Sequence, residues 1–182
     1  MSRSLALIAG LLAFATPAFA LDLPTRKAGQ WEVKMVFEGR NLPPTVMKQC
    51  VDAATDKLMN ANFGGSNEQA CAKQDVKNSG GTITIDSVCT FGASTTTSHA
   101  VVSGSFDSAY TIDVTSTREG GPPMPGAAPG AATHMKIEAK WLGACAAGQK
   151  PGDVIMSNGM TMNVLDVQKM RGPQPSRVPQ RP

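Results

Sequence analysis

Ten methionines, four cysteines and two histidines are the side chains of this sequence best equipped for chemistry. His99 lies among serines and threonines, where an imidazole becomes a general base only with a carboxylate beside it and a concave site in front of it. His134 precedes a segment whose polar positions are Lys136, Glu138 and Lys140, the pattern of a solvated face. Met124, Met135, Met156, Met160 and Met162 fall close together in the chain, with His134 beside Met135. Thioethers with an imidazole suit Cu(I), which makes copper or metal handling one reading. Met35 and Met135 also alternate with polar residues, as methionines that fill a core do, and Met156 and Met160 straddle a turn.

Cys50, Cys71, Cys89 and Cys145 contain no Cys-x-x-Cys pair, the spacing of a redox or zinc site, and read instead as two disulfides. Gly-x-Ser-x-Gly, His-Glu-x-x-His, Gly-x-Gly-x-x-Gly and the phosphate-binding loop are absent, which removes the recognisable hydrolase, zincin and nucleotide readings. The sequence therefore assigns no catalytic, cofactor-binding or metal-ligating residue. The full chain carries a net charge of +3 with no basic cluster. Nucleic acid and anionic membrane surfaces, which demand a clustered basic face, are excluded as main partners.

The chain opens with an address. Arg3, the apolar run Leu5 to Phe14 and Ala18-Phe19-Ala20 make residues 1–20 a secretory signal peptide with cleavage before Leu21. No cysteine sits at the cleavage site to carry a lipid anchor, and no later apolar run reaches the ~18 residues of a membrane span. The expected product is a soluble exported protein in an oxidising compartment. Its length of about 160 residues suits a single domain, over 21–170, with its own core.

The elements that must position these residues centre on Cys71 to Cys89, which reads as one β-hairpin with a cysteine at each open end. Asn78-Ser79-Gly80-Gly81 supplies the turn, and Thr82 to Ile85 alternate polar and apolar. A three-residue loop about Gly80 sets Cys71 opposite Cys89 but Val76 opposite Thr84. A two-residue loop sets Val76 opposite Ile83 and pushes the cysteines out of line. A one-residue bulge between turn and cysteines reconciles the two demands. With Cys71 paired to Cys89, Cys50 is left for Cys145, a bridge tying the start of the domain to its end.

Around the hairpin, Trp31, Val33, Met35 and Phe37 form one face of a first strand, and Thr45 to Val51 a second. Asp52 reads as the N-cap of a short helix through Met59. Strands follow at Thr95 to Phe106, around Tyr110, Ile112 and Val114, and over Met135 to Trp141. A C-terminal hairpin of Val154 to Ser157 and Met160 to Asn163 turns at Asn158-Gly159. Val164 to Met170 can add a helical turn. Glu119 to Ala132, rich in Gly and Pro, reads as a mobile loop, and Arg171 to Pro182 as a disordered tail. Strands joined by short turns without alternating helices predict an all-β antiparallel meander forming a small barrel or sandwich, the barrel favoured.

Gly29-x-Trp31-Glu32-Val33, Cys50 after a Pro-Pro loop, Cys71, the Gly-Gly hairpin to Cys89, Gly104-Ser105-Phe106 before Tyr110, and Trp141-Leu142-Gly143-x-Cys145 carry a resemblance. Together, over residues 29–145, they resemble the exported bacterial family catalogued as domain of unknown function 3617. The resemblance implies a periplasmic protein and brings no catalytic residue, cofactor or partner. The expected function is a non-enzymatic binding or interaction module for a small apolar ligand or an envelope protein. Copper or metal handling through Met and His comes second, and an enzyme built around His99 third.

Overall fold

The computed structural model describes residues 23–63, 71–122 and 130–171. The segment read as a signal peptide (1–20), half of the Gly/Pro segment (123–129) and the tail from 172 onward lie outside the described residues.

The alternation of Gly29 to Glu38 makes strand β1 (Gly29–Glu38), which buries Trp31 and Val33. Strand β2 (Thr45–Val51) returns antiparallel to it, Val33 facing Met47. Helix α1 (Ala53–Phe63) follows at once. Asp52 caps it: Thr55 donates its backbone N–H and its hydroxyl to Asp52 Oδ1, both at 2.8 Å, and Thr55 Oγ1 accepts the Asp52 N–H at 3.0 Å. The helix runs past the expected Met59 because no breaker intervenes before Gly64-Gly65.

Strands β3 (Cys71–Ser79) and β4 (Thr82–Phe91) form the expected hairpin. Its loop is the pair Gly80-Gly81, with φ of 59° and 84°, the two positive values that match the twist of a tight hairpin. Val76 therefore faces Ile85, not Thr84 or Ile83, and a one-residue irregularity between Cys71 and Lys73 restores Cys71 opposite Cys89. Disulfides join Cys71 to Cys89 and Cys50 to Cys145.

Strands β5 (Ser94–Ser105), β6 (Ala109–Gly120) and β7 (Thr133–Gly143) continue the meander. The sixth strand takes in Glu119 and Gly120, which the sequence places in a loop, because they pair with Thr95 and Ser94. A short hairpin, β8 (Asp153–Met156) and β9 (Thr161–Asn163), leads into helix α2 (Val164–Arg171).

All pairings are antiparallel, and the order is β3-β4-β5-β6-β7-β1-β2-β8-β9. The first strand thus sits between the seventh and the second, and the Cys50–Cys145 bridge clips the strands on its two sides. The outermost strands, β3 and β9, do not pair with each other, so the sheet is an open meander and the favoured closed barrel is not formed. Lys73, Asp75 and Lys77 on one edge and a three-residue strand at the other keep those edges from templating further strands.

One apolar cluster runs along a single face of the sheet, from Ile83 through Val102, Tyr110, Ile137, Ala139, Trp31, Val33 and Met47 to Val154, with Met59 from α1. The closest backbone contacts of the first helix are with β2 and α2. Val102 is only 1% exposed. Curling of the sheet around this face accounts for that burial. Tyr110 lies at the centre, 5.7 Å from the Trp31 ring and stacked on Phe106 at 4.6 Å, and burial raises the pKa of its phenol.

At one end of this core the chain buries an ion pair. Arg26 donates Nε to Asp56 Oδ1 at 2.6 Å, its backbone N–H to Oδ2 at 2.8 Å, and Nη1 to Gln49 Oε1 at 2.8 Å. Asn60 adds a donor to Asp56 at 3.3 Å. Arg26, Gln49 and Asp56 are all buried. The cluster fixes α1 and the lead into β1 against the second strand.

Candidate functional site

The register converts the alternation of six strands into one continuous feature on the inner, curled face. Val76 faces Ile85, Ile85 faces Ala100, Ala100 faces Val114, Val114 faces Met135, and Met135 faces Phe37. Each neighbouring strand from β3 to β1 contributes one apolar side chain to this belt. Five are half-buried and Val76 is 39% exposed. One row deeper lie Ile83, Val102 and Ile137, all buried, with Ile112 and Met35. One row outward the same face becomes hydroxylic: Ser87, Ser98, Ser116 and Thr133 stand in register, and the Ser116 and Thr133 hydroxyls bond at 2.9 Å.

The belt is thus an apolar strip one residue wide, between a filled core and a polar lip. At its β1 end the Arg40 guanidinium lies 5.8 Å from the centre of the Phe37 ring. Such a strip can hold an apolar chain by burial alone, and it presents no nucleophile.

Both histidines lie on the opposite face. Across β3 to β1 the row there reads Asp75, Asp86, His99, Thr115, His134 and Glu38. Asp86 Oδ1 stands 2.7 Å from His99 Nδ1, and that bond draws the Asp86 carboxyl below its ordinary pKa. Thr115 Oγ1 stands 3.1 Å from His134 Nδ1. The carboxylate an enzyme around His99 would need is therefore present. The row crosses the middle of the sheet, where the backbone N–H groups are engaged in the strand ladder, so among the described residues none beside His99 is free to serve as an oxyanion donor.

A cleft of about 430 Å³ does open on this outer face, lined by Glu32, Lys34, Ser103, Thr111, Glu138 and Lys140 among others. Lys34 and Glu138 pair across it at 3.2 Å, so its charges largely neutralise one another. Ser103 lies four residues from His99 along the strand, about 13 Å. The cleft and the imidazole do not form one site.

The same alternation separates the methionines from the histidines. Met135 points to the inner face and His134 to the outer. Met47 faces Met156 across β2 and β8, and Met160 lies across the hairpin from Met156. The Met47 sulfur accepts Gln49 Nε2 at 3.4 Å, and the Met59 sulfur accepts the cationic Arg26 Nη2 at 3.5 Å, a neighbour that repels a metal ion. Met124 lies outside the described residues. Among the described residues no three of His, Cys, Asp and Glu converge as a metal site, and no helix is long and apolar enough to cross a membrane.

A family model described as Protein of unknown function (DUF3617) matches residues 26–145. The chain belongs to this family. No curated protein and no solved structure matches it. The DUF3617 span begins at the buried Arg26, three residues before the first motif that the sequence itself offers, and ends at Cys145. It contains both disulfides and all six belt residues, and it leaves out β8, β9 and α2.

The belt was not legible as a site in the sequence. Its members are ordinary strand residues, and only the register lines them up. The signal available was the repeated apolar pair at spacing two, 35/37, 83/85, 100/102, 112/114 and 135/137, of which one member lies in the deeper row and the other in the belt.

Proposed function

We propose that this DUF3617 protein is an exported, periplasmic, non-enzymatic binding module whose inner belt takes a small apolar ligand. The observation that carries the reading is the in-register row Val76, Ile85, Ala100, Val114, Met135 and Phe37, apolar across six strands and left half-open. Half-buried apolar side chains in a contiguous strip retain surface whose removal from water contributes roughly 25 cal/mol per Å². Two disulfides and an amino-terminal segment of signal-peptide type support the exported setting.

The test uses Nile red, a neutral dye that brightens in apolar surroundings, with the mature oxidised protein. Its fluorescence is expected to rise on binding, to be lost in Ala100→Asp, which sets a carboxylate in the middle of the belt, and to survive Thr97→Asp on the outer face. Val76→Asp, at the exposed edge, serves as a second belt variant that leaves the core untouched and should weaken binding. Circular dichroism confirms the fold of each. Equal binding by the folded belt variants and the outer-face variant refutes the proposal.

A further inference from the structure

The belt's width, length and one charged end narrow the ligand class, an argument that rests on the binding reading above. Successive rows on one sheet face lie about 7 Å apart, and the belt is one row wide between a filled core and a hydroxyl lip. An α-helix, about 10–12 Å across with its side chains, overlaps the polar lip, and a two-chain lipid does so equally. A single hydrocarbon chain fits the strip.

Across six strands the belt extends about 24 Å, five spacings of about 4.8 Å, the reach of an extended long acyl chain. Its ends differ. At the Phe37 end stands Arg40, half-exposed and with no carboxylate in ion-pair reach among the described residues. At the Val76 end the neighbouring Lys77 is on the other face and pairs with Asp75 at 3.0 Å. One uncommitted guanidinium matches the single charge of a carboxylate, which it can grip with two parallel N–H bonds.

We infer that the belt binds a long-chain carboxylate, the head held by Arg40 and the chain running from Phe37 over Met135, Val114, Ala100 and Ile85 toward Val76. The chain supplies most of the affinity. Arg40 sets polarity and direction.

The experiment titrates the mature oxidised protein, freed of co-purified lipid, with the fluorescent fatty acid cis-parinaric acid and separately with its methyl ester. The acid should bind with one-to-one stoichiometry and about tenfold more tightly than the ester, the worth of one charge-assisted contact. Arg40→Gln, in an exposed loop, should bring the acid down to the ester's affinity and leave the ester unchanged. Ala100→Asp should abolish both. Equal affinity of acid and ester, or an unaltered preference in Arg40→Gln, overturns the carboxylate inference while Nile red binding keeps the belt reading standing. Failure of both parinaric probes where Nile red still binds overturns it too, and failure of all three removes the binding reading as well.

Discussion

Replacing Arg26 by Met should destabilise the protein by about 3–5 kcal/mol, the cost of leaving a buried partner charge uncompensated. Asp56 has no exposed surface, and its two oxygens take three donors, two of them from Arg26. After the substitution the carboxylate keeps the backbone N–H of residue 26 and the Asn60 amide, and it loses the one cation that pairs with it among the described residues. Gln49 Oε1, also buried, loses its 2.8 Å donor. For a chain of this size the loss corresponds to a fall in Tm of about 6–20 °C. The double variant Arg26→Met, Asp56→Leu removes both charges; it leaves the Gln49 carbonyl orphaned, as the single variant does, and in place of the uncompensated carboxylate it leaves the buried N–H of residue 26 without an acceptor, at about 1–3 kcal/mol, and the half-buried Asn60 amide, which water can reach. It should therefore be more stable than Arg26→Met alone. Urea denaturation of the mature oxidised protein, followed by Trp fluorescence, measures both. A single-variant loss below about 1 kcal/mol, or a double variant that loses the sum of the two singles, refutes the claim that this pair is a desolvated ion pair holding the first helix.

Asp52→Ala should cost about 1 kcal/mol through loss of the cap. The Thr55 backbone N–H draws the Asp52 carboxyl below its ordinary pKa, so the cap's ionic contribution is complete above the ordinary carboxylate range. It fades as pH falls through the depressed value, and the stability gap between wild type and Asp52→Ala, measured by urea titration across acid pH, should narrow accordingly. Gly29→Ala should destabilise by more than the 1–3 kcal/mol of a strained backbone, since φ there is +132° and a Cβ would stand 2.2 Å from the Gly143 carbonyl oxygen. A Tm within 2 °C of wild type, in a scanning calorimeter, would contradict that packing. Cys50→Ala with Cys145→Ala should cost more than Cys71→Ala with Cys89→Ala, about 4.7 against 3 kcal/mol for loops closed by bridges 95 and 18 residues apart. The reverse order in urea would show that chain entropy does not govern these bridges.

What the sequence made legible was whatever repeats locally. The period of two in Trp31 to Phe37 and in Met135 to Trp141 and the cap at Asp52 need only neighbours in the chain and stand where expected, while the turn at Asn158-Gly159 takes in Ser157 as well, with Met156 opposite Met160, one step from the expected two-residue loop. A loop centred on Gly80 misses the hairpin register by a step. With Gly80-Gly81 as the whole loop, both positive-φ positions fall on glycine. The insertion of β1 between β7 and β2 depends on contacts a hundred residues apart, which no local pattern encodes. Arg26 and Asp56, thirty residues apart, look like ordinary surface charges until the first helix folds onto the second strand.

The belt ties the proposed function to the compartment through its weakest member. No residue of β3 belongs to the buried core, and most of that strand is exposed. It is held by one ladder of backbone bonds to β4, and a strand paired on one side, with no described element packed behind it, is marginal in water. The Gly80-Gly81 turn secures one end of the pair and the Cys71–Cys89 bridge the other. In a reducing compartment the open end should fray from Cys71 toward the turn, and once fraying reaches Val76, four rungs from that turn, the residue leaves the row it completes. The belt then ends at Ile85, one interstrand spacing or about 5 Å shorter. An apolar strip built this way reaches full length only where disulfides persist, so under the proposed function export and ligand capture would be coupled through this bridge.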